Sequence, residues 1–266
     1  MGALSARSVG RLPELRPGDD LALVIVQALA GEHLRADQLV AIAQKAVSKV
    51  EGAIVELAGV VPGERARELA RPAQRTGGAP PSRHAQAKDP RVVQVVLDQS
   101  VEILRAERGV LISRTRHGLV CANAGVDASN TGRTEDDSVI VLPADPDASA
   151  RRIRARLREL TGVAPAVLIS DSFGRPWREG QVDVAIGLAG MRALEDWRGR
   201  TDSHGRELHA TLLAVADAAA AAAELARAKD SGEPVVIIDG LERHLSDEDG
   251  PGASELLRAR ELDLFR

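Results

Sequence analysis

The chain has 266 residues, enough for one large domain or two small ones with a substantial buried core. Its 35 lysines and arginines against 39 aspartates and glutamates give a formal net charge of -4, which argues against non-specific nucleic-acid binding as the main activity. The single cysteine, Cys121, excludes an intramolecular disulfide framework and a cysteine-rich zinc site, and fits a reducing, cytoplasmic setting.

The opening segment, MGALSARSVGRLPELRPGDD, lacks the sustained apolar core of a signal peptide, and the apolar run Leu21 to Ala30 is too short to cross a bilayer. Residues 20 to 30, beginning DLALVIVQAL, read as a helix. Within residues 38 to 50, LVAIA reads as a buried strand followed by a polar turn, QKAVSK. AIVELAGVV, residues 53 to 61, is expected to extend a sheet, and PGERARELA to open a short helix after Pro62. Residues 71 to 88 combine Pro, Gly, Arg and Gln without apolar periodicity and are expected to form a flexible loop.

RVVQVVLDQSVEILRA then carries apolar residues at helical spacing on one face. GVLISRTRHGLVCANAG reads as two short strands joined by a turn around Arg116 to Gly118. DPDASARRIRARLRELTG is expected as a helix capped by Asp147 or Ser149 and closed by Gly162. VAPAVLISD is a buried strand delivering Asp171 at its C-terminal end, where α/β proteins tend to place ligands. ADAAAAAAELARAK is a helix and PVVIIDG a late strand. The expected fold class is mixed α/β (α+β), without internal repeats.

Two stretches, NAGVDASNTG and ISDSFGRPWR, each run an apolar segment into a lone aspartate followed by small polar residues, glycine and arginine. Hard divalent cations prefer oxygen ligands and often use one or two carboxylates with substrate phosphates and water, which Asp127 and Asp171 suit. The competing reading makes both aspartates turn residues bonded to their own backbone. Asn130 and Ser172 sit one short step away, and Arg175 and Arg178 offer guanidinium groups for phosphate or carboxylate oxygens. Trp177, between them, is expected to pack. Lys49, with Ser48, could neutralise a phosphate. No G-x-x-x-x-G-K-[ST] occurs and no G-x-G-x-x-G follows a strand, so any nucleotide site is built differently. His204 and His209 lack the spacing of a hydrolase triad or zinc site.

In order, LPELRPGDD, VSKVEG, PGERARELA, KDPRVV, HGLVCANAGVDASN, ISDSFGRPWREGQVDVAIGLAG, DWRGRTDSHGRELHAT and ADAAAAAAEL resemble the coenzyme F420:L-glutamate ligase family across nearly the whole chain. The resemblance implies GTP-dependent joining of L-glutamate, and further γ-linked glutamates, to the deazaflavin coenzyme F420-0. A carboxylate does not react with an amine at neutral pH, so activation to an acyl phosphate is the expected step. Leu12, Pro13, Glu14 and Leu15 would contact the guanine nucleotide, with Ser48 and Lys49 near its phosphates and Asn130 also touching it. Asp127 and Asp171 would bind one divalent cation, magnesium or manganese, and Ser172 would help hold a second, with potassium assisting. Apart from the resemblance, the guanidinium groups of Arg175 and Arg178 are expected to stabilise the phosphate charge.

The same resemblance implies one catalytic unit over residues 1–266, built from two interwoven subdomains in an intertwined homodimer, with no flavin-reductase-like extension. Four departures from the family pattern stand out. Gln44 replaces a frequent serine, Gln99 a frequent glutamate, Lys229 falls near a glutamine at the second cation, and Arg71 to Ala87 is longer. A metal-dependent phosphohydrolase and a non-catalytic GTP-binding protein are the alternatives. Phosphate release without glutamate would mark the first, and stabilisation by GTP without phosphate release the second.

Overall fold

The computed structural model describes residues 3–71, 88–107, 109–127 and 138–264, so nearly all of the expected 71–88 loop lies outside the described residues. In chain order the strands are β1 (Ser5–Ser8), β2 (Leu39–Ala43), β3 (Ile54–Glu56), β4 (Ser100–Glu107), β5 (Val110–Thr115), β6 (Val120–Ala122), β7 (Ser138–Ile140), β8 (Ala166–Arg175), β9 (Arg178–Ala189), β10 (Glu195–Asp196), β11 (Leu212–Leu213) and β12 (Val235–Asp239). The helices are α1 (Leu21–Ala28), α2 (Gln44–Val50), α3 (Glu64–Leu69), α4 (Pro90–Asp98), α5 (Pro146–Thr161) and α6 (Val215–Leu225). This is a mixed α/β fold.

Its centre is a five-stranded sheet in the order β1-β12-β2-β8-β9, in which only β2 and β8 run parallel. Strands LVAIA and VVIID read as unbroken apolar runs because both of their faces are covered. Val40, Ile42, Val235 and Ile237 meet Leu21 and Ile25 of α1 and Ile153 and Leu157 of α5. Leu39, Ala41, Val236 and Ile238 pack on the alanine face of α6 on the other side. Smaller cores hold α3, α4 and two of the three smaller sheets, β3-β7 and β4-β5-β6, the third being β10-β11. Among the described residues no helix is long and apolar enough to cross a membrane.

Close approach fixes α5 against β9. A Cβ built on Gly187 would stand 2.4 Å from the carbonyl oxygen of Pro146, and backbone cannot yield as a side-chain tip can. Gly187→Ala is therefore expected to lose about 1–3 kcal/mol, read from the midpoint of chemical denaturation, by forcing helix and strand apart.

Several sequence expectations need correction. QKAVSK is not a turn but helix α2. Gln44 Nε2 donates to Ser48 Oγ at 2.5 Å and to the carbonyl of Val141 at 3.1 Å, while Ala46 and Val47 are buried, so tertiary contacts hold a helix that lacks a side-chain cap. RVVQVVLDQSVEILRA is not one helix. It ends at Asp98, where Ser100 Oγ turns back on the Val96 carbonyl at 2.6 Å, and the rest becomes β4, paired with β5. AIVELAGVV does enter a sheet, but a small one apart from the central sheet, its three-residue strand pairing with β7. The cap of α5 is Asp145, whose carboxylate accepts from Ala148 N at 2.9 Å. Asp147 instead bonds away from its own helix, accepting from Leu188 N of β9 and Ala253 N, and Ser149 bonds Glu51.

Candidate active site

The parallel register of β2 and β8 ends at Ala43 opposite Ser170, after which β2 turns directly into α2. Asp171 is the first residue of β8 beyond that pairing. It does not end its strand, as the sequence suggested, since β8 runs on to Arg175 as one arm of a hairpin with β9. Above this opening lies a cavity of about 580 Å³ whose wall includes Leu12 to Leu15, Lys45, Lys49, Asp127, Asp171 and Ser172. Lys45 and Lys49 are four residues apart on α2 and so share one face. Lys45 Nζ lies 2.7 Å from Asp127, and Lys49 Nζ lies 2.6 Å from Glu14.

Asp127 is delivered by a strained turn. Asn123, Ala124 and Gly125 all have positive φ (52°, 53° and 71°), a conformation that costs non-glycine residues roughly 1–2 kcal/mol each. The turn persists because Lys88 Nζ donates to Asn123 Oδ1 at 2.8 Å and Val126 N to the Asn123 carbonyl at 2.9 Å. Both backbone groups of Asp127 then pair with Ile140, at 3.0 and 2.8 Å, fixing where its carboxylate projects. Strain concentrated beside a candidate site fits a position whose geometry serves chemistry rather than stability.

Alternation along β8 separates two environments. Asp171 shares the face of Ile169 and Phe173, toward α2 and Asp127. Burial pushes its carboxyl up to about 6, with the Asp183 and Asp127 charges adding to the rise against the Ser172 backbone N–H and Lys45. Ser170 and Ser172 take the other face and meet Asp183, the register partner of Ser172 on β9. Asp183 is only 2% exposed and accepts from Ser170 Oγ at 2.9 Å, from Ser172 Oγ at 2.6 Å and from Arg227. Burial raises its pKa, but the Ser172 hydroxyl and Arg227 outweigh that and hold the carboxyl below its ordinary value. Its backbone N–H donates to Glu224 Oε2 at 2.9 Å.

A second cavity of about 420 Å³ adjoins the first, with Lys88, Asp89, Cys121, Phe173 and Gly174 in its wall. Asp127, Asp171, Ser172 and Gln181 line both cavities and so form the partition between them. The buried Cys121 thiol, pushed up to about 12 chiefly by desolvation, is no nucleophile at neutral pH.

The structure thus brings Leu12, Pro13, Glu14, Leu15, Lys49, Asp127, Asp171 and Ser172 to one place. Asn130 lies outside the described residues. Ser48 is on the buried face of α2, donating to the Val141 carbonyl at 2.7 Å, and is not part of the cavity wall. Arg175 and Arg178 sit at the hairpin tip and line neither cavity. Arg175 Nη2 donates to the Glu179 carbonyl at 2.5 Å. Trp177, expected to pack, is 80% exposed at the same tip.

Sequence reasoning missed Lys45, Asp183, Glu224 and Arg227. Lys45 was legible as the i−4 partner of Lys49 once QKAVSK is read as a helix. Asp183 was legible in the alternation QVDVAI, had DSFGRPWREGQVD been read as a hairpin.

The donor set suits one hard divalent cation. Asp127 and Asp171 repel each other across a cavity rim, and the elevated Asp171 carboxyl marks charge that a cation would relieve. Among the described residues no group of three or more His, Cys, Asp and Glu side chains is gathered to cage a metal. Two carboxylates completed by phosphate and water are the arrangement magnesium commonly accepts. Ser172 fits a second cation poorly, because its hydroxyl already donates to Asp183 and accepts from Lys229.

Known proteins resemble the chain along nearly its whole length. The family model described as F420-0:Gamma-glutamyl ligase matches residues 10–240, a span that holds both cavities. The chain is 44% identical over 266 residues, 99% of its length and 99% of the relative's, to the coenzyme F420:L-glutamate ligase of Methanothermobacter thermautotrophicus. It is 44% identical to the protein of that name from Methanopyrus kandleri, with 100% of both chains covered. For the Methanocaldococcus jannaschii protein of the same name the identity is 38%, over 96% of this chain and 94% of that one. Matched end to end at this level, the chain belongs to the F420-0:gamma-glutamyl ligase family.

Proposed function

We propose that this enzyme is a ligase that forms an amide between coenzyme F420-0 and the amino group of L-glutamate, adds further glutamates through γ-linkages, and spends GTP to do so. The observation that carries the reading is the pair of cavities meeting at Asp127, Asp171, Ser172 and Gln181. A reaction that moves a phosphoryl group from a nucleotide to a carboxylate needs two substrates facing each other across one charged partition. A simple phosphohydrolase needs only one such chamber.

The nucleotide is assigned to the larger cavity, its base against Leu12 to Leu15 and its phosphates toward Lys45 and Lys49. The F420-0 carboxylate is assigned to the smaller one. There its oxygen attacks the γ-phosphorus, the bond to the β-phosphate oxygen breaks, and GDP leaves. The glutamate amine then attacks the acyl carbon, phosphate departs, and the amine proton passes to a base. Asp127 and Asp171 would hold magnesium or manganese, whose chemistry is to screen the phosphate oxygens. Potassium is assigned as an activating ion and the homodimer as the working unit. Lys45, paired with Asp127 of the partition from the larger cavity, takes the charge-stabilising role that the sequence suggested for Arg175 and Arg178.

Incubation with F420-0, glutamate, GTP and manganese is expected to give a deazaflavin product heavier by whole glutamyl increments in mass spectrometry. Phosphate release with GTP alone, at the same rate, would transfer the protein to the phosphohydrolases. GTP binding without turnover would make it a non-catalytic binder. Lys49→Ala should weaken GTP binding by roughly 10- to 100-fold in calorimetric titration, the worth of a hydrogen bond to a charged group. Unchanged affinity would remove Lys49 from the phosphate site.

A further inference from the structure

We infer that the ammonium of Lys229 is this chain's resident cation beside Ser172, in the place a second divalent ion would otherwise take. One divalent ion, on Asp127 and Asp171, then works together with a lysine. The inference rests on the phosphate-handling reading of the site given above.

Lys229 follows α6 and reaches back to Ser172 of β8. Its Nζ lies 3.1 Å from Glu224 Oε1 and 3.6 Å from Asp183 Oδ1, and it donates to Ser172 Oγ. These are two carboxylates and a hydroxyl, the hard oxygen donors that a divalent cation selects. Here they surround a single positive charge that the chain itself carries. A divalent ion taking the same oxygens would sit within a few ångströms of Nζ, where like charges repel.

The other cations around the cavity have separate anchors. Lys45 pairs with Asp127, Lys49 with Glu14, and Arg227 with the far oxygen of Asp183. Lys229 is therefore the charge that decides whether Ser172 faces a metal or an ammonium. It is also 67% exposed, on a flexible stem, so it can follow a phosphate oxygen as the pocket fills.

The same exposure makes the test practical, since an exposed lysine contributes little to stability and Asp183 keeps Arg227 as its partner. Manganese is titrated into protein saturated with a non-hydrolysable GTP analogue, and bound ions are counted from the loss of the free-ion electron paramagnetic resonance signal. The expected count is one ion per chain for the native protein, one for Lys229→Arg, and two for Lys229→Gln, whose neutral amide oxygen removes the repulsion and adds a ligand. Two ions in the native protein would overturn the inference and leave the ligase reading intact. One ion in Lys229→Gln would equally overturn it, because the lysine would not be what keeps the second ion out. No ion in the native protein would instead strike the metal assignment of Asp127 and Asp171, and with it this inference.

Discussion

Asp171→Asn is expected to stabilise the metal-free protein while lowering turnover on the order of 100-fold or more. Both effects follow from one carboxylate held at a place that disfavours its charge. Desolvation, with the Asp183 and Asp127 charges adding to it, lifts the carboxyl from an ordinary 3.8 to about 6. The sign is that of a raised acid. Folding favours the neutral form, so the penalty is absent below about pH 4, grows as pH rises toward 6, and is complete above it. At pH 7 the ionised carboxylate costs the apo fold up to roughly 3 kcal/mol, which the asparagine avoids.

The same substitution removes one of the two anionic oxygens proposed to hold the divalent cation, and with it several kcal/mol of transition-state charge stabilisation. Chemical denaturation in the presence of a chelator, compared at pH 4.5 and pH 7.5, checks the first effect. The gain should be seen in full at pH 7.5 and should fall to about a third of that at pH 4.5. Adding manganese should reverse the order, stabilising the native protein and not the variant. An asparagine variant that is less stable than the native protein at pH 7.5 without metal would show that the carboxylate supports the fold, and would sink the account of its role.

How much of this was legible in the sequence depends on whether local pattern or tertiary contact decides each element. LVAIA, VVIID, α5 and α6 declare themselves because their apolar runs, alanine content and terminal Gly162 suffice. QKAVSK does not, because it becomes helical through the Gln44 and Ser48 bonds to Val141, a residue more than ninety positions away. The hairpin of β8 and β9 was hidden by its turn. Trp177 takes φ 57° after Pro176, a position where glycine or asparagine is the usual signal. With the hairpin unread, Asp183 could not be set opposite Ser172. The two aspartates first noticed, Asp127 and Asp171, do face one cavity. The residues that set their electrostatics come from α2, β9 and α6, which no spacing along the chain brings together.

The second large expectation concerns the ion pair beneath that cavity. Asp183 and Arg227 have side chains only 2% and 10% exposed, and Arg227 also donates to the Pro234 carbonyl and Ser170 Oγ, each at 2.9 Å. A pair so buried and so fully bonded is not thereby a large source of stability, yet losing one partner is expensive because the other charge stays behind. Arg227→Met keeps most of the stem's packing while removing the charge, and is expected to cost about 3–5 kcal/mol, lowering Tm by roughly 6–15 °C. In the native protein the depressed Asp183 carboxyl contributes stability that is complete above the usual carboxylate range and is lost only as pH falls through its lowered folded value. Without Arg227, burial acts on that carboxyl with less opposition and pushes it upward, so the variant's deficit should be largest at neutral pH and shrink on acidification as Asp183 takes up a proton. Asp183→Asn in the Arg227→Met background should recover part of the loss, since no buried charge then remains unpaired, and a double-mutant cycle measures the coupling. A deficit below about 1 kcal/mol that is flat with pH would mean water reaches Asp183 freely, and the hydroxyl of Ser172 would then lose the rigid acceptor that orients it toward the cavity.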